Sequence, residues 1–303
     1  MDYDPIRFYD DLVSHGLIIP SGVQGIFARG AVFEHVLQRF NDMVSESAKD
    51  DGAVNYTFPP VVNRKIIEKV DYLNSFPHLC GTVCGFHGNE TQAREMAQRA
   101  REGRDWDDML EQTDMVLGPA VCHPLYPTLT GTLPPGGRVA SLTGWAFRHE
   151  PSLEPTRMQS FRMREFVRVG STDEVVEWRD MWLKRSVSLL QDLLLPVTTE
   201  VASDPFFGRI GRLLASDQKE RQLKFELLVP VISATNPTAV CSCNFHEQHF
   251  GHTFEIHTHD GQIANSACLA FGLERTTMAL FKTHGLDVKD WPAVVRERLA
   301  LSL

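Results

Sequence analysis

Apolar residues recur at positions 32, 33, 36, 37, 40 and 44 of AVFEHVLQRFNDMV (31–44), the spacing that lays one stripe along a helix. Before it, residues 1–30 mix short apolar runs with Gly16, Pro20, Gly22, Gly25 and Gly30 and read as a brief lead-in. AVNYTFPPVVN (53–63) predicts a strand stopped at Pro59 and Pro60, because proline cannot donate to a sheet ladder. Residues 89–115 are charged, alanine-rich and helically spaced, which predicts a surface helix. From 116 the texture changes to strands and turns: MVLGPAVCHPLYPTL, the loop LPPGGR (133–138), RVASLTGWAFRHE and FRMREFVRVG. A long helical pattern runs from Asp173 to Leu195 and ends at Pro196. LKFELLVPV and AVCSCNF are strand-like, and LAFGLERTTMALFKTHG leads into a helix that Gly285 closes. Helices come early, strands cluster in the middle, and the order does not alternate. That pattern predicts an antiparallel α+β fold over a doubly wound parallel sheet.

Composition narrows the class. The chain has 303 residues, 43% apolar and 23% charged, an ordinary globular balance. Thirty Lys and Arg against 39 Asp and Glu give a net charge of −9, which argues against a large basic face for nucleic acid. No apolar run approaches the roughly 20 residues that cross a bilayer. The start, MDYDPIRFYDDLV, lacks the basic-then-apolar layout of a secretory signal, so the expected compartment is the cytoplasm. The 6 cysteines are too sparse for a disulfide scaffold and match no zinc-finger spacing. Any metal site must therefore be assembled from distant positions.

Neither GxxxxGK[ST] nor a GxGxxG between strand and helix occurs, and there is no GxSxG elbow. Nucleotide chemistry would have to rely on arginines. Phe147-Arg148-His149-Glu150 is followed by a loop and then by RMQSFRMRE (157–165), and Gly272-Leu273-Glu274-Arg275 heads an apolar helix. Cys241-Ser242-Cys243-Asn244 lies downstream of Glu226. Taken singly, an FRxE is an ordinary surface ion pair and a GLER an ordinary helix start.

Taken in this order, the segments resemble the class II aminoacyl-tRNA synthetases. FRHE, the loop and RMQSFRMRE are similar to motif 2, and GLER before a helix to motif 3. The 31–44 helix leading to a strand that ends at Pro60 resembles motif 1, the dimer-forming element. Seryl-tRNA synthetase is the nearest pattern, because an arginine, here Arg157, stands eight residues before the motif 2 glutamate, here Glu165. The resemblance covers roughly residues 25–303. There are two departures. The long tRNA-binding arm expected before the catalytic domain does not appear, and Cys122, Glu165 and Cys268 match the zinc set of the atypical, methanogen-type seryl enzymes. An arm-less, zinc-binding domain of this kind resembles the amino acid:[carrier protein] ligases.

The resemblance implies one class II synthetase-like domain over 1–303, an antiparallel sheet flanked by helices, assembled as a homodimer. It implies zinc on Cys122, Glu165 and Cys268, where an open coordination position takes the neutral amine of the substrate. Arg148 and Arg275 are the implied catalytic groups on the α- and γ-phosphates of ATP, with Phe161 and Arg275 on the two faces of adenine. Glu150, Arg157 and Met158 would contact adenine or the bent triphosphate. Glu226, with the stretch Cys241, Ser242, Cys243 and Asn244, would hold magnesium and phosphate. The implied reaction activates a small amino acid, glycine or alanine, and passes it to the phosphopantetheine thiol of a carrier protein, without tRNA. GRIGRLLASDQKERQLK offers Arg209, Arg212, Lys219, Arg221 and Lys224 on an inserted helix, read at about 205–224, that could dock an acidic carrier or simply be a solvated face. The rivals are a true seryl-tRNA synthetase and an inactive paralogue acting as a binding module. His246, His249, His252, His257 and His259 imitate a metal tract but read as turn histidines, and Cys80 and Cys84 read as core.

Overall fold

A computed structural model of the chain describes residues 4–301, apart from the side chains of residues 209 and 210. The strand-like segments after 116 pair, with two outlying strands, into one seven-stranded sheet. In chain order its strands are β1 (Val54–Tyr56), β2 (Arg138–Phe147), β3 (Ser160–Gly170), β4 (Thr198–Val201), β5 (Lys224–Val229), β6 (Thr238–Glu247) and β7 (Asn265–Gly272). In space the order is β4-β5-β6-β7-β3-β2-β1, antiparallel throughout except for the parallel β1–β2 pair. The α+β expectation holds, with that one parallel edge making the sheet mixed.

One face of the sheet is covered by helices. The longer helices of the chain are α1 (Pro5–Ser14), α2 (Ala31–Ser47), α3 (Glu90–Arg101), α4 (Thr172–Asp192), α5 (Gly208–Glu220) and α6 (Leu273–His284), of which α2, α4 and α6 form the covering layer. Trp182 of α4 stacks on Phe166 at 4.5 Å, and Phe40 of α2 meets Phe271 edge-on at 5.4 Å. Phe33 and Phe281 tie α2 to α6 at 5.8 Å. Burying side chains of this size contributes about 2–3 kcal/mol each. Ser171 and Glu174 form a capping box at the start of α4, which satisfies backbone donors left open there.

The lead-in is an integral part of the core. Phe8, Leu12, Leu17, Ile18 and Phe27 are buried, and a two-stranded ribbon pairs Ile18–Pro20 with Phe27–Arg29. Gly30, just before α2, must be glycine, since a Cβ there would fall 1.9 Å from the Gly16 carbonyl oxygen. Pro59 and Pro60 do separate two strands, with Val61–Asn63 joining a different, three-stranded sheet. The 89–115 expectation needs correction. The helix stops at Arg101, Gly103 turns the chain at φ +65°, and Glu111–Leu117 is the central strand of that small sheet. The charged composition was that of an exposed helix and an exposed strand together. Among the described residues no helix is long and apolar enough to cross a membrane.

Candidate active site

Strand alternation decides which side chains face the uncovered side of the sheet. Register pairs Glu226 with Ser242, Ser242 with Ala270, Ala270 with Glu165, and Asn244 with Cys268. Paired residues share a face, so Glu226, Ser242, Asn244, Cys268 and Glu165 line one surface across four neighbouring strands. Phe161 lies four residues from Glu165 on β3 and is on the same side. Cys241 and Cys243 have the opposite parity. They are 2% and 1% exposed, and Cys241 meets Ser186 of α4 on the covered face. Of the stretch 241–244, then, only Ser242 and Asn244 present side chains to the site. Period 2 rules out Cys241 and Cys243 as side-chain ligands.

The candidate zinc set converges from three segments. Glu165 is 1% exposed; its Oε1 accepts the Val121 amide at 2.9 Å, and the Cys122 thiol is its side-chain neighbour in hydrogen-bond contact. Burial, reinforced by Cys268, pushes the carboxyl up to about 7. The Cys122 and Cys268 thiols hydrogen-bond to each other, and Cys268 also accepts from Asn244 Nδ2 at 3.4 Å. Cys122 donates and is held well above the usual thiol range, first by that bond and then by burial. Cys268, which accepts, is held below it. Among the described residues no three His, Cys, Asp or Glu side chains are already drawn around one point as a bound ion would hold them. The donor chemistry nevertheless fits zinc: two thiols and a buried carboxylate in mutual contact form a crowded acidic cluster that a divalent cation would neutralise.

The arginines stand around this floor. Arg148 Nε donates to the Pro119 carbonyl at 3.2 Å, and its guanidinium lies 5.6 Å from the Phe161 ring centre. Arg275 is anchored at the start of α6, with Nε donating to Thr156 O at 2.8 Å and Nη1 to Ala239 O at 3.2 Å. Burial, with Arg148 and Arg157 nearby, lowers the Arg275 guanidinium to about 10. Glu150 and Arg157 pair at 2.8 Å on the loop between β2 and β3. Met158 is buried in that loop with its sulfur 3.9 Å from Arg29 Nη2. Cationic forks thus face an acidic floor, an arrangement suited to polyphosphate and a divalent ion.

Several functional neighbours escaped the sequence reading. His246 touches Cys268, and its Nδ1 is 3.1 Å from Ser266 Oγ. Its signal was available, since 242, 244 and 246 share one face of a strand. Of the other histidines, His249 packs with His246 and His123 around the Phe250 ring, while His252 and His259 are exposed and His257 lies on a two-residue strand. Lys224, read as part of a basic surface, is instead 8% exposed and bonded to Asp204 at 2.6 Å and Glu226 at 3.0 Å. Arg212 and Lys219 are exposed on α5, Arg221 pairs with Asp217 and Glu247, and the Arg209 side chain lies outside the described residues. Cys80 is half-buried and Cys84 exposed, so the core expectation fails for Cys84.

No protein-family model matches the chain. Among curated proteins it is 42% identical over 300 residues to "Amino acid--[acyl-carrier-protein] ligase 1" of Bradyrhizobium diazoefficiens, covering 98% of this chain and 90% of that protein. The second such ligase of that organism is 42% identical over 301 residues, covering 99% and 89%. The type-2 serine--tRNA ligase of Methanococcus aeolicus is 25% identical over 284 residues, 87% of this chain but 53% of that enzyme. Among solved structures, M. kandleri SerRS, crystallised with A. aeolicus tRNASec, superposes with TM-score 0.82 at 20% identity over 99% of this chain and 60% of that one. Its fold is therefore that of the class II synthetase catalytic domain. With 42% identity sustained over nearly its whole length, the chain belongs to the amino acid--[acyl-carrier-protein] ligase family.

Proposed function

We propose that this ligase activates a small amino acid with ATP and transfers it to the phosphopantetheine thiol of a carrier protein. The observation that carries the reading is the single sheet face on which Glu165, Cys268, Asn244, Ser242 and Glu226 lie in register, with Arg148 and Arg275 anchored beside it. Cys122, Glu165 and Cys268 would hold zinc, which when bound supplies a Lewis acid that accepts the neutral α-amine and rejects the ammonium form. Glu226, with Ser242 and Asn244, would bind the magnesium that accompanies ATP.

In the first step a carboxylate oxygen of the amino acid attacks the α-phosphorus, and the bond to the departing pyrophosphate breaks. Negative charge grows on the phosphoryl oxygens. Arg148 meets that charge with a fork already oriented by Pro119, so little reorganisation is needed during reaction. Arg275, fixed by two carbonyls, offers its remaining N–H groups to the outer phosphates, and Phe161 provides an adenine face. Glu150 and Arg157, paired with each other at 2.8 Å, would exchange that bond for contacts to nucleotide. In the second step a thiolate attacks the acyl carbon and AMP leaves, giving a thioester without a protein nucleophile.

Glycine or alanine is the proposed substrate, on the family resemblance. We assign carrier docking to α5, where Phe207, Leu213 and Leu214 are 58%, 69% and 43% exposed beside Arg212 and Lys219. Exposed apolar residues flanked by cations suit an acidic helical partner. Dimerisation through α2 and the open edge at β1 completes the proposed assembly, in the cytoplasm, where the free thiols stay reduced. The test is amino-acid-dependent ATP–pyrophosphate exchange across the twenty amino acids, followed by acceptor assays with holo carrier, apo carrier and tRNA. Exchange with a small amino acid and a thioester on holo carrier alone is the expected result. Exchange with no amino acid in zinc-loaded protein overturns the reading, as does charging of tRNA in preference to carrier.

A further inference from the structure

Lys224 opens β5 and is almost fully buried, yet it carries a charge between two carboxylates. Its Nζ lies 2.6 Å from Asp204 Oδ1 and 3.0 Å from Glu226 Oε1. Asp204 is in turn gripped by Gln218 of α5: Gln218 Nε2 donates to Asp204 Oδ2 at 2.9 Å, and the Asp204 amide donates to Gln218 Oε1 at 2.7 Å. The chain Gln218–Asp204–Lys224–Glu226 therefore runs without a break from α5 to the magnesium-facing carboxylate. A buried ion triad of this kind contributes little net stability compared with an apolar replacement, so its retention calls for a positional reason.

Geometry supplies that reason. Lys224 is the side chain bonded to the Glu226 carboxylate and holds it in place, with the Arg275 guanidinium acting on it through space. Lys224 and Asn244 are register partners, which puts the lysine on the site face, two strands across the sheet from Cys268, with Asn244 between them. On the other side, the α5 surface is apolar and exposed at Leu213 and Leu214, so that surface contributes little to fastening the helix. The N-terminal end of α5 is held by the Phe206–Phe76 stack at 5.1 Å and the Phe207 amide on Ser75 O, and its C-terminal half by the Gln218–Asp204 pair together with Arg221, which bonds Glu247 of β6.

We propose that Lys224 is a positioning residue shared by both half-reactions: it aims Glu226 at the magnesium of ATP and, through Asp204 and Gln218, fixes the carrier-docking helix at the edge of the same site. The inference rests on the function proposed above. A single buried cation thereby sets the distance between the adenylate and the surface on which the thiol arrives.

The test uses full-length Lys224→Met, Lys224→Arg, Asp204→Asn and Gln218→Ala proteins. Pyrophosphate exchange is titrated with Mg2+, transfer with holo carrier protein, and α5 is followed by hydrogen exchange over 211–220. In Lys224→Met the Mg2+ half-saturation and the carrier KM should both rise about tenfold, the effect of misplacing one bonded group. Lys224→Arg should recover most of the Mg2+ response by restoring the charge. Asp204→Asn and Gln218→Ala should raise the carrier KM and speed hydrogen exchange in α5 without moving the Mg2+ half-saturation. A folded Lys224→Met protein whose Mg2+ half-saturation stays within twofold of wild type overturns the first half, whatever its melting temperature. Unchanged α5 exchange in Asp204→Asn overturns the second. Should Lys224→Met fail to fold, the arginine and Asp204→Asn variants decide the two halves. Should the wild type exchange no amino acid, the functional reading fails, and the thermal shift produced by Mg·ATP in wild type against Lys224→Met still decides the position of Glu226.

Discussion

Replacing Glu165 by glutamine should stabilise the metal-free protein at alkaline pH and destabilise it once zinc is present. In the folded chain the carboxyl titrates near 7, against 4.5 when free, because it is buried and lies against Cys268. Below pH 4.5 both folded and unfolded chains hold the proton, and the group contributes nothing. Between 4.5 and about 7 the folded state keeps a proton that the unfolded chain has released, so stability falls as pH rises. Above about 7 the full penalty is present. The gap, at about 1.4 kcal/mol per pH unit, amounts to about 3 kcal/mol, or roughly 5 °C in Tm for a domain of this size. Glutamine keeps the Oε1 that accepts the Val121 amide and removes the charge, so it should escape this loss. The assay is thermal denaturation of chelator-treated wild type and Glu165→Gln from pH 5 to 8.5, repeated with added zinc. Metal-free, the two curves should meet near pH 5 and separate by several degrees at pH 8. With zinc the order should reverse, since a ligand at about 1,000 times its Kd adds about 4.1 kcal/mol, more than the penalty of about 3 kcal/mol, to the protein that binds it. Parallel metal-free curves would refute the buried-carboxylate argument, and equal zinc stabilisation of both proteins would remove Glu165 from the metal set.

Other perturbations address the remaining parts of the site. Cys268→Ala should lose zinc, measured by elemental analysis, and lose exchange activity while keeping its circular dichroism; full activity without metal would sink the zinc assignment. Arg148→Ala should slow pyrophosphate exchange by about 10²–10³ with zinc retained, the loss expected for one preorganised donor, and an unimpaired rate would take it off the α-phosphate. Glu274→Gln should cost about 3 kcal/mol in urea denaturation. Glu274 is wholly buried and accepts from the Arg162 amide at 2.7 Å, Arg162 Nε at 2.9 Å and Arg29 at 3.2 Å. A change below about 0.5 kcal/mol would show that Glu34, which takes the other fork of Arg162, is enough to hold that cluster.

Motif order was legible because class II chemistry fixes residue types at local spacing: FRHE with RMQSFRMRE on one hairpin, and GLER at a helix start. Periodicity gave α2, α4, α6 and most strands of the large sheet, since each carries its own apolar stripe or alternation. It failed over 89–115, where a helix and a strand that both face solvent leave no apolar pattern to tell them apart. It also could not divide 241–244. Four consecutive residues looked equally suited to phosphate, and only the register of β5, β6 and β7 sent Cys241 and Cys243 to the covered face. Lys224 looked like a surface cation because burial is a property of what packs around a residue. What the sequence determined by itself was the set of local elements and the identities of the groups able to bind phosphate and metal. The tertiary structure alone decided which of those groups meet, because Cys122, Glu165 and Cys268, like Gln218, Asp204, Lys224 and Glu226, are joined by sheet register and loop return, and contacts set by long-range pairing leave no mark on local spacing.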